Sequence, residues 1–203
     1  MPVKPDATFT VFPDQGGLNR DYYPFHNHTM TGINDDTLMK NAVTMKTGAS
    51  HNGNTLQVQV SITNDKTGHD VPTDEPIRSM MLVVQALDAD GKRLMLNRGT
   101  ALPGWTGNYS GQPGKTFAKV LKDEWTGETP TAAYWRPVTI VEDTRLAPFA
   151  TDISTYSFDL PTGSPASIKI SLVYRRAYQL LAQQKGWTDA DILMAESTIM
   201  VEK

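Results

Sequence analysis

Between Asn64 and Arg78 the chain sets His69 beside Asp65, Asp70, Asp74 and Glu75, with Gly68, Pro72 and Pro76 in the same stretch. Carboxylate oxygens converging from one loop suit a hard cation such as Ca2+, and an imidazole would pull the preference toward a transition metal. His69, Asp65, Asp70 and Asp74 are therefore the candidate cation ligands. An architectural reading accounts for the same residues and is the favoured one. Gly68 supplies a backbone angle other residues avoid, Pro72 stiffens the crossing, and His69 and Thr73 hydrogen-bond loop carbonyls that no sheet pairs. Arg78 then pairs with one of the acids.

Two further imidazoles, His26 and His28, stand two residues apart. In an extended segment they point to opposite faces, so only one of them can address a given partner. Asp88-Ala89-Asp90-Gly91 begins like a calcium loop but lacks the later Glu at the required spacing, and a hairpin turn explains it better. Asp143 and Arg145 read as an ion pair at a strand end. No Gly-x-Ser-x-Gly, His-Glu-x-x-His or phosphate loop occurs, so the expectation is a non-catalytic protein. Trp105, Tyr109, Trp125, Tyr134 and Trp135 fall in long loops, where aromatics either anchor a partner or cap a minor core. Trp105, Tyr109 and Trp135 are the partner-binding candidates.

Composition narrows the classes. Nineteen basic against 22 acidic residues give a net charge of −3. With no single-sign run, this argues against nucleic acid or an anionic membrane surface as partner. No apolar run approaches the roughly 20 residues that a membrane helix needs. The chain has no cysteine, which removes disulfides, thiolate metal sites and covalent c-type haem attachment from this polypeptide. Its first residues carry no apolar signal segment, as expected of a cytosolic protein, a mature form or an excised piece.

The elements that must position these residues are mostly strands. Leu56, Val58, Val60 and Ile62 alternate with polar residues, and Asn52-Gly53 turns that strand back onto 42–46. Met80 to Leu87 is almost continuously apolar and predicts an interior strand, returning through 88–91 into Arg93–Leu96. Further strands are expected at 116–121, 138–141, 156–160, 168–174 and 197–201. Asn34 caps one short helix. The stripe Ala177, Tyr178, Leu180 and Leu181 makes a second that stops at Gly186, and Thr188 caps a third. The expected architecture is an all-β, immunoglobulin-like antiparallel sandwich over 35–203, with short helices near its termini. An extended N-terminal arm over 1–34 precedes it.

Several pieces, in order, resemble the C-terminal domain of certain bacterial multihaem c-type cytochromes. They are His28-Thr29-Met30-Thr31-Gly32; Thr63-Asn64 through Gly68-His69 and Pro72-Thr73 to Arg78; and Asp143-Thr144-Arg145-Leu146 ahead of Tyr156 to Pro161. The last is Val173 to Tyr178, followed by Lys185-Gly186-Trp187 and Asp191-Ile192. The chain departs from that family by lacking every Cys-x-x-Cys-His motif, and Asp74 stands where a small residue is expected. The resemblance implies a haem-bearing segment or subunit as partner, with haem c in that parent. It also implies a distal axial ligand from His28, with His26 as the fallback, and a periplasmic or extracellular setting. A stand-alone carbohydrate- or protein-binding module is the competing reading. A metal-dependent enzyme built on His26, His28 and His69 has the least support.

Overall fold

Residues 3–4, 13–17, 25–26, 32, 35–73 and 75–202 are described in the structure, a computed structural model. The chain divides into two units, Met1–Asp35 and Asp36–Lys203. In the first, β1 (Val3–Lys4) pairs antiparallel with β2 (Phe25–His26), and Pro13–Gln15 makes a 3-10 turn.

The second unit is an all-β sandwich. Its elements are α1 (Asp36–Lys40), β3 (Thr44–Asn52), β4 (Thr55–Thr63), β5 (Ser79–Asp88), β6 (Leu96–Arg98), β7 (Gly114–Asp123), β8 (Val138–Asp143), β9 (Thr151–Asp159), β10 (Ala166–Arg175), α2 (Gln179–Lys185) and β11 (Ile192–Val201). Five strands form one sheet in the order β11-β10-β5-β7-β8, and four form the other as β3-β4-β9-β6. Every pairing is antiparallel.

Period-2 patterning fills the core. Leu56, Val58, Val60 and Ile62 on β4 and Tyr156 and Phe158 on β9 are buried on one face. Ile168, Ile170 and Leu172 on β10 and Leu82, Val84 and Ala86 on β5 are buried beside one another on the other sheet. Each such aliphatic side chain contributes roughly 1.5–3 kcal/mol when removed from water. β5 is apolar on both faces because its outer face is covered too. Met81 and Val83 join Val173, Leu102 and the half-buried Tyr109 in a second cluster, supplied by the 99–112 loop. Edge strands β3 and β11 meet through the Thr47–Ser197 hydroxyl pair, 2.8 Å apart.

The two ends of the sandwich differ. At one, plain turns join Asn52 to Thr55, Asp88 to Arg93 and Asp159 to Ala166. At the other lie both long crossings between sheets, Asn64–Arg78 from β4 to β5 and Thr144–Ala150 from β8 to β9. The 124–137 excursion, α1 and α2 lie at this same crossing end.

Three sequence expectations change. No helix follows Thr188: residues 187–191 are irregular, and β11 begins at Ile192 rather than at 197. Asp189 and Asp191, in that irregular segment, reach sideways to Arg176 and Arg175. Leu180 leaves the apolar stripe of α2 and is 55% exposed, while Ala177, Tyr178 and Leu181 pack together. The return from the 88–91 turn makes only one bridge to β5, then crosses to the other sheet as β6 beside β9.

Candidate functional site

Asn64 organises the two crossings. It is fully buried at the end of β4, and its Nδ2 donates to the His69 carbonyl at 2.8 Å and to the Leu146 carbonyl at 2.9 Å. Its Oδ1 accepts from the Thr67 hydroxyl. One side chain therefore satisfies groups from both crossings, which also pair directly through Val71 and Leu146. Arg145 completes the join, gripping Asp143 through Nε and Nη2 at 2.8 and 2.7 Å and lying 3.4 Å from Asp70. Those Arg145 hydrogen bonds, set against a smaller desolvation effect, hold the Asp143 carboxyl below its usual range.

The three described cation candidates, Asp65, His69 and Asp70, do not point inward together. Asp65 accepts from the Thr44 hydroxyl at 2.8 and 3.0 Å, and the exposed His69 sets Nδ1 2.9 Å from the Asp70 carbonyl. Asp70 turns to Arg145, and Asp74 lies outside the described residues. Among the described residues, no group of three or more His, Asp or Glu side chains could hold a metal ion. Of the arm imidazoles, His26 is a residue of β2 opposite Val3, and His28 lies outside the described residues.

A second convergence surrounds Arg175, the last residue of β10. This buried guanidinium binds both carboxylate oxygens of Asp191 at 2.8 and 2.7 Å, the Thr106 carbonyl at 2.7 Å and Asn108 Oδ1 at 2.6 Å. It also lies over the Tyr109 ring, 5.3 Å from its centre. Burial, and then the nearby Asp191 charge, push the Tyr109 hydroxyl up from its ordinary value. The geometry fastens the 3-10 segment Gly104–Tyr109 and the irregular segment leading into β11 to the end of β10. Arg176 pairs with Asp189 at 2.7 Å alongside.

α2 lies against this hub. It ends in a Schellman cap: Gly186 adopts φ 68°, its N–H reaches the Gln183 carbonyl, and the Trp187 N–H reaches Ala182 at 2.9 Å. The Trp187 backbone is thereby tied to the end of the helix, and the residue is 49% exposed. Two clefts of about 370 Å³ each flank the helix. One has Arg175, Arg176, Trp187 and Asp189 in its wall, the other Trp105, Tyr178 and Glu128. Gln179 and Gln183 border both.

The aromatic candidates separate. Trp105 packs on Ala177, Tyr178 and Leu181, and Tyr109 lies under Arg175, so both help to hold the loops in place. Trp135 is 70% exposed and meets Tyr134 edge-on at 5.5 Å; Trp125 is 71% exposed with Arg136 over its ring at 5.7 Å. These three aromatics ride on one excursion anchored by Asp123, a carboxylate with 1% exposure. Asp123 accepts from the Trp125 and Thr126 N–H groups and from Arg136 Nη1 at 2.8, 3.3 and 3.0 Å. Burial alone would raise its pKa, but these hydrogen bonds outweigh that and hold it below the usual carboxylate range.

Sequence reasoning missed Arg175, Asp191, Gln179 and Trp187 as site residues. A doublet of arginines followed by two alternate aspartates, Asp189 and Asp191, was the available signal. The groups gathered at the crossing end are guanidinium–carboxylate pairs, side-chain amides and indole faces, which hold ligands by hydrogen bonding and stacking.

No protein-family model matches the chain, and no curated protein matches it in sequence. Among solved structures it is similar to a penta-heme cytochrome c552 from Thermochromatium tepidum, at 22% identity and a TM-score of 0.66. The alignment covers 90% of this chain and 45% of that one, so the chain spans less than half the length of the structure it matches. At that identity the likeness establishes a shared fold.

Proposed function

We propose that the chain is the non-catalytic β-sandwich module of a multihaem cytochrome electron-transfer system outside the cytoplasmic membrane. The observation that carries this reading is the fold likeness to a penta-heme cytochrome over 90% of the chain. The ordered motifs from His28 to Ile192 support it independently, and the structure gathers most of them at the crossing end. Haem has no covalent attachment point here, because the chain has no cysteine. Neither described cleft is bordered by a His or Met that could ligate its iron. The haem therefore belongs to another polypeptide segment or subunit, against which this module packs. Among the described residues no helix is long and apolar enough to cross a membrane.

In this reading His28, with His26 as fallback, supplies a distal ligand to a haem held by that partner, a role that rests on its motif. The exposed Trp125 and Trp135 provide the type of surface that anchors a protein contact. The test is to mix the chain with the multihaem cytochrome of its own host and follow sedimentation at the Soret wavelength. A complex of defined stoichiometry is expected, and free sedimentation of both components at micromolar concentration rejects the proposal. Within the complex, His28→Ala should alter the axial-ligand spectrum. An unchanged spectrum removes the ligand role while leaving the packing role standing.

A further inference from the structure

We propose that the two clefts flanking α2 act as one groove that binds a neutral, linear oligosaccharide. The clefts share Gln179 and Gln183, so these amides lie between a wall built on Trp187 and one built on Trp105. Indole faces stack on the apolar C–H surface of a sugar ring, while planar amides donate to and accept from its hydroxyls and carboxylates accept from them. Each cleft, at about 370 Å³, falls within the size range of small-molecule sites.

The charge arrangement disfavours an anionic ligand. Arg175 and Arg176 are already neutralised by Asp191 and Asp189, and Glu128 borders the second cleft. An anionic ligand would find both guanidinium charges balanced and would meet the Glu128 carboxylate in the second cleft; beside Arg175 and Arg176 a cation would find both aspartates engaged. Tyr178 beside Glu128 has its hydroxyl pushed up to about 12 by burial and by that charge, so it remains a hydrogen-bond donor throughout the physiological range. A peptide is the poorer occupant. The groove is bordered by α2 and the Gly104–Tyr109 segment rather than by a strand edge, so no backbone ladder is on offer to an extended chain.

The wall is also built to hold its position. The Schellman cap fixes the start of Trp187, and Gln179 Oε1 accepts from the Asn108 N–H at 2.9 Å, seating the amide against the loop. Gly107 leaves the space: a Cβ there would lie 1.5 Å from Gln179 Oε1. Little ordering remains to be done on binding, which favours a weakly adhesive ligand such as a sugar chain.

The experiment is a calorimetric titration of the whole chain with cello-, manno-, xylo- and chito-oligosaccharides from one to six units, run beside a random peptide library. Affinity is expected to rise with length until both clefts are spanned, accompanied by a change in tryptophan fluorescence. Trp187→Ala and Gln183→Ala, both at exposed positions, should each weaken binding by about tenfold without shifting the thermal midpoint. Three results overturn the proposal: no binding by any sugar at millimolar concentration, binding indifferent to both substitutions, or peptides that bind this groove in preference to every sugar. The titration needs no haem protein, so its failure is separate from failure of the cytochrome reading.

Discussion

At the residue scale, Asn64 and Arg175 tie loops together through groups that no neighbouring strand could supply. In Asn64→Ala the His69 carbonyl can keep the Thr67 hydroxyl and the Leu146 carbonyl keeps the Val71 N–H. The loss is then three hydrogen bonds, with their partners partly satisfied elsewhere, and a small cavity, roughly 2–3 kcal/mol, read from urea denaturation. Arg175→Ala should cost about 3 kcal/mol, because Asp191 is left partly buried without its partner. Arg175→Lys should recover little of it, since an ammonium cannot reproduce the fork that spans Asp191, Thr106 and Asn108. Acid sensitivity belongs to Asp123 and Asp143. Both carboxyls titrate below their unfolded value near ~4, so the stability they contribute is complete above that pH and is lost as pH falls through their folded values. The thermal midpoint should therefore drop on acidification below about pH 4. Asp123→Asn should lower it at neutral pH and flatten the acid limb; an unaltered limb would show that this carboxylate is not responsible.

At the element scale, the Gly104–Tyr109 segment and α2 are fitted to each other at one point. Gly107 has φ 64° and ψ −114°, and it gives up its Cβ position to the Gln179 amide. Gly107→Ala should cost roughly 2–3 kcal/mol, part steric and part conformational. Adding Gln179→Ala should return the steric part alone, and complete recovery in the double variant would mean that the backbone angle carries no strain. Elements like these mark the limit of what periodicity reveals. Leu56, Val58, Val60 and Ile62 could be read as one buried face from spacing alone, and Met80–Leu87 as an interior strand, because burial imposes that pattern residue by residue. Gly186 likewise ended α2 where expected. The helix anticipated after Thr188 fails because Asp189 and Asp191 are claimed by arginines distant in the chain, an interaction with no local signature. In the Asn64 loop Gly68 keeps an ordinary backbone angle rather than the one expected of it, and Leu146, the partner of Asn64 82 positions away, has no signature in the spacing. Trp187 was legible only as the residue after a helix stop, and its place beside a cleft depends on how α2 docks.

At the scale of the whole sandwich, nearly all unusual residues collect at the crossing end. The aromatics on the Asp123-anchored excursion lie there as well, and they separate binding from stability. Trp125→Ala and Trp135→Ala should leave the folding free energy within about 0.5 kcal/mol, since both rings are largely exposed. Under the cytochrome proposal, at least one should weaken the complex by about tenfold or more, measured by sedimentation. Equal affinity for both variants would move the docking face elsewhere on the module. The strand order has a mechanical consequence too. β3 is the first strand of the sandwich and starts at the crossing end, whereas β11 is the last and finishes at the hairpin end. Tension applied between Asp36 and Val201 thus runs along the strands, shearing the β3–β4 and β10–β11 ladders so that their hydrogen bonds share the load instead of opening one at a time. Forced extension should meet its main resistance in those two ladders. A module strung this way between neighbours can bear a pull while its loops at the crossing end stay in register.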